Sequence, residues 1–211
     1  MSRSNFAYRY RKGLYLNITN RCPTACAFCI KSSWGMRFRG SDLSLNGREP
    51  SAEEVVAAAE KAYGEGAYEE AVFCGFGEPT YRLGEMLAVC DALRERLPQV
   101  RRRLNTVGLG DLICDRRIAS ELAGRLQAVR VSLNTAEPGR WAQIMRPLPE
   151  FRERGFEAAL AFIRDCSSRI EETSVTAVAL PGTELEACRR LAASLGAGFL
   201  ARPYLEAYED L

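Results

Sequence analysis

The sequence predicts an α/β fold, an open, partial, TIM-like barrel of six βα units, (β/α)6, in a single domain over residues 1–211. Three observations predict it. Short apolar runs alternate with longer amphipathic ones along the chain, the order expected of βα units and a parallel sheet. Six such units are fewer than the eight that close a full barrel. Two of the strands are also polar at every second residue, whereas a parallel sheet covered on both faces reads as almost wholly apolar.

The first strand is 14–19 (LYLNIT), with Leu14, Leu16 and Ile18 set against Tyr15, Asn17 and Thr19. Its helix opens with a capping box, Ser51 to Glu54, ahead of Val55, Val56 and Ala59. The second strand, 71–75 (AVFCG), precedes a helix from about 83 to 97 that stops before Pro98. The third, 102–106 (RRLNT), precedes a short helical segment at 118–126. The fourth, 129–134 (VRVSLN), sets Val129, Val131 and Leu133 against Arg130, Ser132 and Asn134. Its helix carries Phe156, Ala159, Leu160 and Ile163 at i, i+3, i+4 and i+7. The fifth, 175–180 (VTAVAL), leads to a helix carrying Leu185, Cys188, Leu191, Ala192 and Leu195 and ending at Gly196, a good residue for a C-terminal cap. The sixth is 199–202 (FLAR). The polar residues of the first and fourth strands line a ligand-filled lumen on this reading.

Composition bounds the function. The chain is 47% hydrophobic and 27% charged, with a net charge of +2, so charge gives no reason to expect nucleic acid or an acidic membrane as partner. The Arg runs at 101–103 and 116–117 are read as solvated faces, because only three of the 29 basic residues are Lys. The basic N-terminus lacks the apolar stretch of a secretory signal, and no run approaches the ~20 apolar residues that span a bilayer. The expected location is the cytoplasm, where thiols stay reduced, so the eight cysteines point to metal or catalysis before disulfides. His is absent, which removes the commonest general base and the commonest zinc ligand.

Cys22, Cys26 and Cys29 follow the first strand, where a βα fold places its active site. Three chemistries compete for them. A redox dithiol would use Cys26 and Cys29 and leave Cys22 idle. Structural zinc wants four closed ligands, and the remaining cysteines (Cys74, Cys90, Cys114, Cys166 and Cys188) are scattered singly. An iron–sulfur cluster held by three thiolates keeps one iron open to a ligand that is not protein, as a catalytic cluster needs, and this reading is favoured. Cys90, Cys166 and Cys188 fall in helical patterns and are read as small apolar residues. Cys74, at the end of the second strand, is a candidate thiol near substrate.

The Cys-x3-Cys-x2-Cys triple after a first strand resembles the signature of the radical S-adenosylmethionine (radical SAM) superfamily, with Phe28 at the aromatic position before the last cysteine. Gly75-Phe-Gly77-Glu78-Pro79 is similar to its Gly-Glu-Pro motif, and Asn105-Thr106-Val-Gly108 to its Asn-Thr-Asn-Gly segment, with Val107 in place of the second Asn. Ser132 and Asn134 close the fourth strand, where relatives place ribose and carboxylate contacts, and Arg146 follows on the next loop. Within the superfamily the chain resembles the TatD-associated group, on 14–22 (LYLNITNRC) and on Cys74 to Thr80.

The resemblance implies a [4Fe-4S] cluster on Cys22, Cys26 and Cys29 in an oxygen-sensitive enzyme that cleaves S-adenosylmethionine reductively to methionine and a 5′-deoxyadenosyl radical, which takes hydrogen from a substrate. It assigns cofactor contacts to Phe28, Gly75, Gly77, Glu78, Pro79, Asn105, Thr106, Ser132, Asn134 and Arg146. Chemistry supports each. Glycines let backbone approach a ligand, Glu78 offsets an ammonium, Ser132 and Asn134 bond sugar hydroxyls, Arg146 forks onto a carboxylate, and Phe28 offers a face to adenine. The expected partners are a flavodoxin- or ferredoxin-like one-electron donor, a small-molecule substrate and a functionally associated TatD-type hydrolase. The long irregular stretch at 31–50, with Trp34, Arg37 and Arg39, is read as a substrate loop closing over the site, together with Arg202 and Tyr204. Two alternatives stay open: a radical SAM activase or deazapurine-forming enzyme, and a non-catalytic iron–sulfur or zinc-binding module.

Overall fold

The computed structural model describes residues 6–179 and 182–204. The described chain opens with an antiparallel hairpin of β1 (Ala7–Tyr10) and β2 (Gly13–Leu16). The cysteine loop leads into a short helix, α1 (Ile30–Trp34), and a two-stranded ribbon, β3 (Arg37–Phe38) and β4 (Ser41–Asp42). Helix α2 (Ala52–Glu65) precedes β5 (Glu70–Phe73), and a 3-10 turn, Pro79–Arg82, passes into α3 (Leu83–Arg96). Next come β6 (Arg101–Thr106), the one-turn helices α4 (Gly110–Ile113) and α5 (Ala119–Leu122), and β7 (Ala128–Ser132). Helices α6 (Pro138–Met145), α7 (Pro149–Arg152) and α8 (Gly155–Ser167) lead to β8 (Glu172–Val178), α9 (Leu185–Ser194) and β9 (Gly198–Arg202). Among the described residues, no helix is long and apolar enough to cross a membrane.

The main sheet runs β1-β2-β5-β6-β7-β8-β9, parallel throughout except for β1. Its six parallel strands follow chain order, and its two edges do not pair, which gives the open partial barrel that the alternation predicts. One face carries Leu14, Leu16, Phe73, Leu104, Val129, Val131 and Val175, all buried against Val56, Met86, Val89, Trp141, Phe162 and Ile163 of the helices. The capping box forms as expected: Glu54 N–H donates to Ser51 Oγ at 3.2 Å, and Ser51 N–H to Glu54 Oε2 at 2.9 Å.

Three differences from the sequence reading have physical causes. Strand β1 was not expected; its Tyr8 and Tyr10 meet Tyr15 at ring distances of 5.5 Å and cover the polar face at the first edge. The first parallel strand ends at Leu16 rather than residue 19, because Asn17 bonds outside the ladder: Nδ2 donates to Leu43 C=O at 2.8 Å and Oδ1 accepts from Phe76 N–H at 3.3 Å. Leu180, the last residue of the expected fifth strand, lies outside the described residues. The run Arg101–Arg103 is not a solvated face: Arg102 is 4% and Arg103 3% exposed. Alternation sends the two to opposite faces, where Arg102 donates to Arg125 C=O at 2.8 Å and Arg103 pairs with Glu70 at 2.9 Å.

The 31–50 stretch is folded onto the barrel. Phe38, Leu43 and Phe76 form a small apolar cluster joined by Tyr8, Tyr10, Ile30, Trp34 and Met36.

Candidate functional site

The site is built at the C-terminal ends of the parallel strands. The loop after β2 carries Cys22, Cys26 and Cys29, all free thiols and all partly buried. Thr24 Oγ1 stands between two of them, 3.5 Å from Cys22 Sγ and 3.3 Å from Cys26 Sγ. The loop has no regular secondary structure of its own, so its shape comes from a clasp with residues 144–148. Ala25 N–H donates to Arg146 C=O (3.0 Å), Ala27 N–H to Ile144 C=O (2.8 Å) and Leu148 N–H to Pro23 C=O (2.9 Å), around an antiparallel bridge of Thr24 and Pro147. Met145, fully buried, places its sulfur 3.8 Å from Cys26 Sγ and 3.2 Å from Asn134 Nδ2.

The donor set fits an iron–sulfur cluster better than a single ion. Zinc with ~2.3 Å bonds in a tetrahedron brings its sulfurs to about 3.8 Å from one another. Here Thr24 Oγ1 lies within hydrogen-bond reach of two of the sulfurs, and no group of three or more His, Cys, Asp or Glu among the described residues is gathered tightly enough for one ion. A cluster gives each thiolate its own iron and so spaces them more widely. Burial pushes the Cys26 thiol up to about 12, against the hydrogen bond from Thr24, with Cys22 and Cys29 near enough to oppose its ionisation. Cys22 is raised for the same leading reason. Both are therefore protonated thiols at neutral pH, and a metal must displace their protons to bind.

The 75–79 loop lies directly under the residues that lead into Cys22. A Cβ on Gly75 would stand 2.0 Å from Asn17 Oδ1, and one on Gly77 would stand 2.2 Å from Thr19 C=O and 2.8 Å from Arg21 C=O. The close approach that requires these glycines is made by the protein's own chain. Glu78 is 1% exposed and has no cationic partner among the described residues. Its Oε1 accepts from Thr80 N–H (3.2 Å), Thr80 Oγ1 (2.8 Å) and Thr106 Oγ1 (2.9 Å), and its Oε2 from Val107 N–H (2.8 Å). Burial pushes the carboxyl above the ordinary range, and these four bonds act against it. Pro79 is buried at the start of the 3-10 turn that Glu78 caps.

The other expected contacts spread around the same end. Thr106 joins Glu78 to Gly108 N–H at 2.9 Å, while Asn105 Oδ1 is held by Arg103 at 2.6 Å. Ser132 faces the interior, 3.4 Å from Thr176 Oγ1 and 3.1 Å from an Arg202 nitrogen. Asn134 is buried at 2% in the left-handed region (φ 68°) and accepts from Val178 N–H at 3.0 Å, so it joins two strand ends. Arg146 caps α6 in the same left-handed region; its carbonyl serves the clasp while its side chain is exposed. Phe28 packs half-buried against the main core. Cys74 faces Asn105, Arg103 and Arg202, and burial raises its thiol.

Sequence reasoning missed Thr24, Met145 and the clasp. Pro147 just after a helix end was the available signal for a chain reversal there.

The sequence model of the Radical SAM superfamily matches residues 16–195. No curated protein matches the chain. The fold is similar to a radical SAM methyltransferase from Sphaerobacter thermophilus, at a TM-score of 0.61 and 18% identity over 93% of this chain and 57% of that one. It is also similar to TsrM from Kitasatospora setae, a radical S-adenosylmethionine methyltransferase seen with tryptophan substrate and the SAM analogue aza-SAM. There the TM-score is 0.55 and the identity 18%, over 88% of this chain and 34% of that one. The chain thus spans a little over half of the first structure and a third of the second.

Proposed function

The chain belongs to the radical SAM superfamily, and from that membership we propose that Cys22, Cys26 and Cys29 hold a [4Fe-4S] cluster beside a bound S-adenosylmethionine. Together these groups supply reductive cleavage of the cofactor to methionine and a 5′-deoxyadenosyl radical, which takes hydrogen from a substrate. The observation that carries the reading is the placement of three free thiols on one clasped loop at the strand ends.

The chain's own residues position, orient and exclude water. The clasp fixes the cysteine loop against α6, and Met145 closes the apolar side of Cys26. Glu78 ties the 75–79 loop to the end of β6 by accepting four hydrogen bonds from Thr80, Thr106 and Val107, and would so hold that loop in place beside a bound cofactor. Ser132 presents a hydroxyl to the lumen for ribose. The folded 31–50 segment and the tyrosines of β1 shelter one edge of the barrel from water.

The same reading assigns a flavodoxin- or ferredoxin-like electron donor and a small-molecule substrate. The 14–22 and 74–80 segments support a place in the TatD-associated group, with a TatD-type hydrolase acting nearby in function. The test is anaerobic reconstitution with iron and sulfide, addition of dithionite and S-adenosylmethionine, and mass spectrometry for 5′-deoxyadenosine. Product from wild type and none from Cys26→Ala is expected. A confirmed four-iron cluster that neither binds nor cleaves the cofactor would sink the proposal and favour a cluster-binding module.

A further inference from the structure

Three arginines, Arg103, Arg130 and Arg202, lie on strands at positions that share the polar face of the sheet. Two of them have carboxylates: Arg103 meets Glu70 at 2.9 Å, and Arg130 reaches Glu172 at 3.8 Å. Arg202 has no ion pair among the described residues. One of its terminal nitrogens donates to Ser132 Oγ at 3.1 Å, across β8, and its Nε is buried with no hydrogen-bond partner. A guanidinium offers five donors in a planar fork, so one serine leaves most of that fork unused. Burying a cation without a matching acceptor is costly, and folds retain such groups where a ligand completes them.

The neighbours of this fork say what completes it and where. Cys74, Cys26 and Tyr15 lie within electrostatic reach of the guanidinium, which puts it at the cysteine-loop end of the lumen. No carboxylate among the described residues pairs with the fork, and Ser132 Oγ is the one acceptor it reaches there, so a charged acceptor would be brought by a bound molecule.

We propose that Arg202, oriented by Ser132, receives an anionic oxygen group, a carboxylate or a phosphate, of the substrate bound in the lumen beside the cysteine loop. The inference rests on the proposed function for calling that molecule the substrate. A planar fork with two adjacent N–H vectors suits a two-oxygen anion, and anchoring that group near Cys26 holds the rest of the molecule against the reacting end of the site.

The cofactor has a carboxylate too, so the test separates the two sources. Full-length chain reconstituted anaerobically is titrated calorimetrically with S-adenosylmethionine, then with inorganic phosphate and with acetate, each in the presence and absence of saturating cofactor. Wild type, Arg202→Met and Arg202→Lys are compared. The expected result is anion binding to wild type that weakens roughly tenfold or more in Arg202→Met, is partly restored in Arg202→Lys, and leaves cofactor affinity within about twofold. Absence of anion binding to wild type, or equal binding by Arg202→Met, overturns the proposal. A tenfold loss of cofactor affinity in Arg202→Met with unchanged anion binding gives the fork to the cofactor's carboxylate and also overturns it. Thermal unfolding of metal-free Arg202→Met should give a Tm equal to or above wild type, because a half-buried charge with no carboxylate partner has been removed; a much lower Tm would make Arg202 a structural residue and overturn the proposal. Failure of wild type to bind the cofactor counts against the proposed function, while the anion titration without cofactor still reads Arg202.

Discussion

Replacing Gly77 with alanine adds one methyl group at the point where two loops of the site touch. The new Cβ would stand 2.2 Å from Thr19 C=O and 2.8 Å from Arg21 C=O, both backbone atoms. Ordinary carbon–oxygen contact begins near ~3.4 Å, so the loops must part by about 1 Å. That movement breaks the hydrogen bond from Glu78 N–H to Arg21 C=O, now 2.7 Å. Overpacking costs about 1–3 kcal/mol and the lost bond about 1 kcal/mol, so Gly77→Ala should destabilise the metal-free protein by roughly 2–4 kcal/mol. Arg21 precedes Cys22, so the shift also moves a residue proposed to hold the cluster. Urea denaturation, read as a change in midpoint at constant slope, measures the first effect. Iron per chain after reconstitution measures the second, and it should fall well below wild type. Gly64→Ala is the control: its Cβ meets nothing within 4 Å in α2, and alanine there should stabilise by about 0.5–1 kcal/mol. A Gly77→Ala protein within about 0.5 kcal/mol of wild type and fully loaded with iron would refute the reasoning.

Glu78→Gln puts an NH2 where one carboxylate oxygen now accepts, from Val107 N–H or from Thr80 and Thr106, and should cost about 1–3 kcal/mol by denaturation. Because burial raises the Glu78 pKa in the folded state, the unfolded chain releases that proton first. Its contribution to stability is therefore fully present below the unfolded value and is lost as pH rises through the raised one; this slope should be missing from Glu78→Gln in a pH series of melts. Arg103→Met leaves Glu70 without its partner, at a cost of about 2–3 kcal/mol given that Glu70 is partly exposed, and Glu70→Gln in the same chain should recover most of that loss. Met145→Ala opens a cavity beside Cys26 and should cost about 2–5 kcal/mol and loosen cluster retention, whereas Met145→Leu should cost less than ~1.5 kcal/mol and keep the iron.

The six parallel strands were legible because Leu14, Leu16 and Ile18, and again Val129, Val131 and Leu133, alternate with polar residues at the period of a strand. Strand β1 was legible in principle, since Phe6, Tyr8 and Tyr10 recur at every second residue, but the surrounding arginines masked the pattern. Arg102 and Arg103 read as surface because a charge run carries no record of its partners; Glu70 is 33 residues away from Arg103. At the site, the cysteine triple and the Gly-Glu-Pro segment lie after the ends of parallel strands, where the sequence placed them. The roles of Gly75 and Gly77 as packing points, and of Glu78 as an internal tie, depend on contacts with Asn17, Thr19, Arg21 and Thr106 that only the folded chain reveals. The clasp is made of main-chain bonds, which do not depend on side-chain identity, and Pro147 after the helix end was the one residue that hinted at it.

That clasp also sets a timetable for biogenesis. It joins Ala25 to Arg146, so the cysteine loop leaves the ribosome about 120 residues before the segment that shapes it. At roughly 5–20 residues per second, the interval is about 6–24 seconds, during which three reactive thiols are exposed on an unshaped loop. On the proposed function, metal insertion would then be the business of a chain whose barrel is already more than half made. Arrested nascent chains check this: those ending near residue 140 should take up no more iron than a cysteine-free version, and those extending well past residue 150 should take up the full complement.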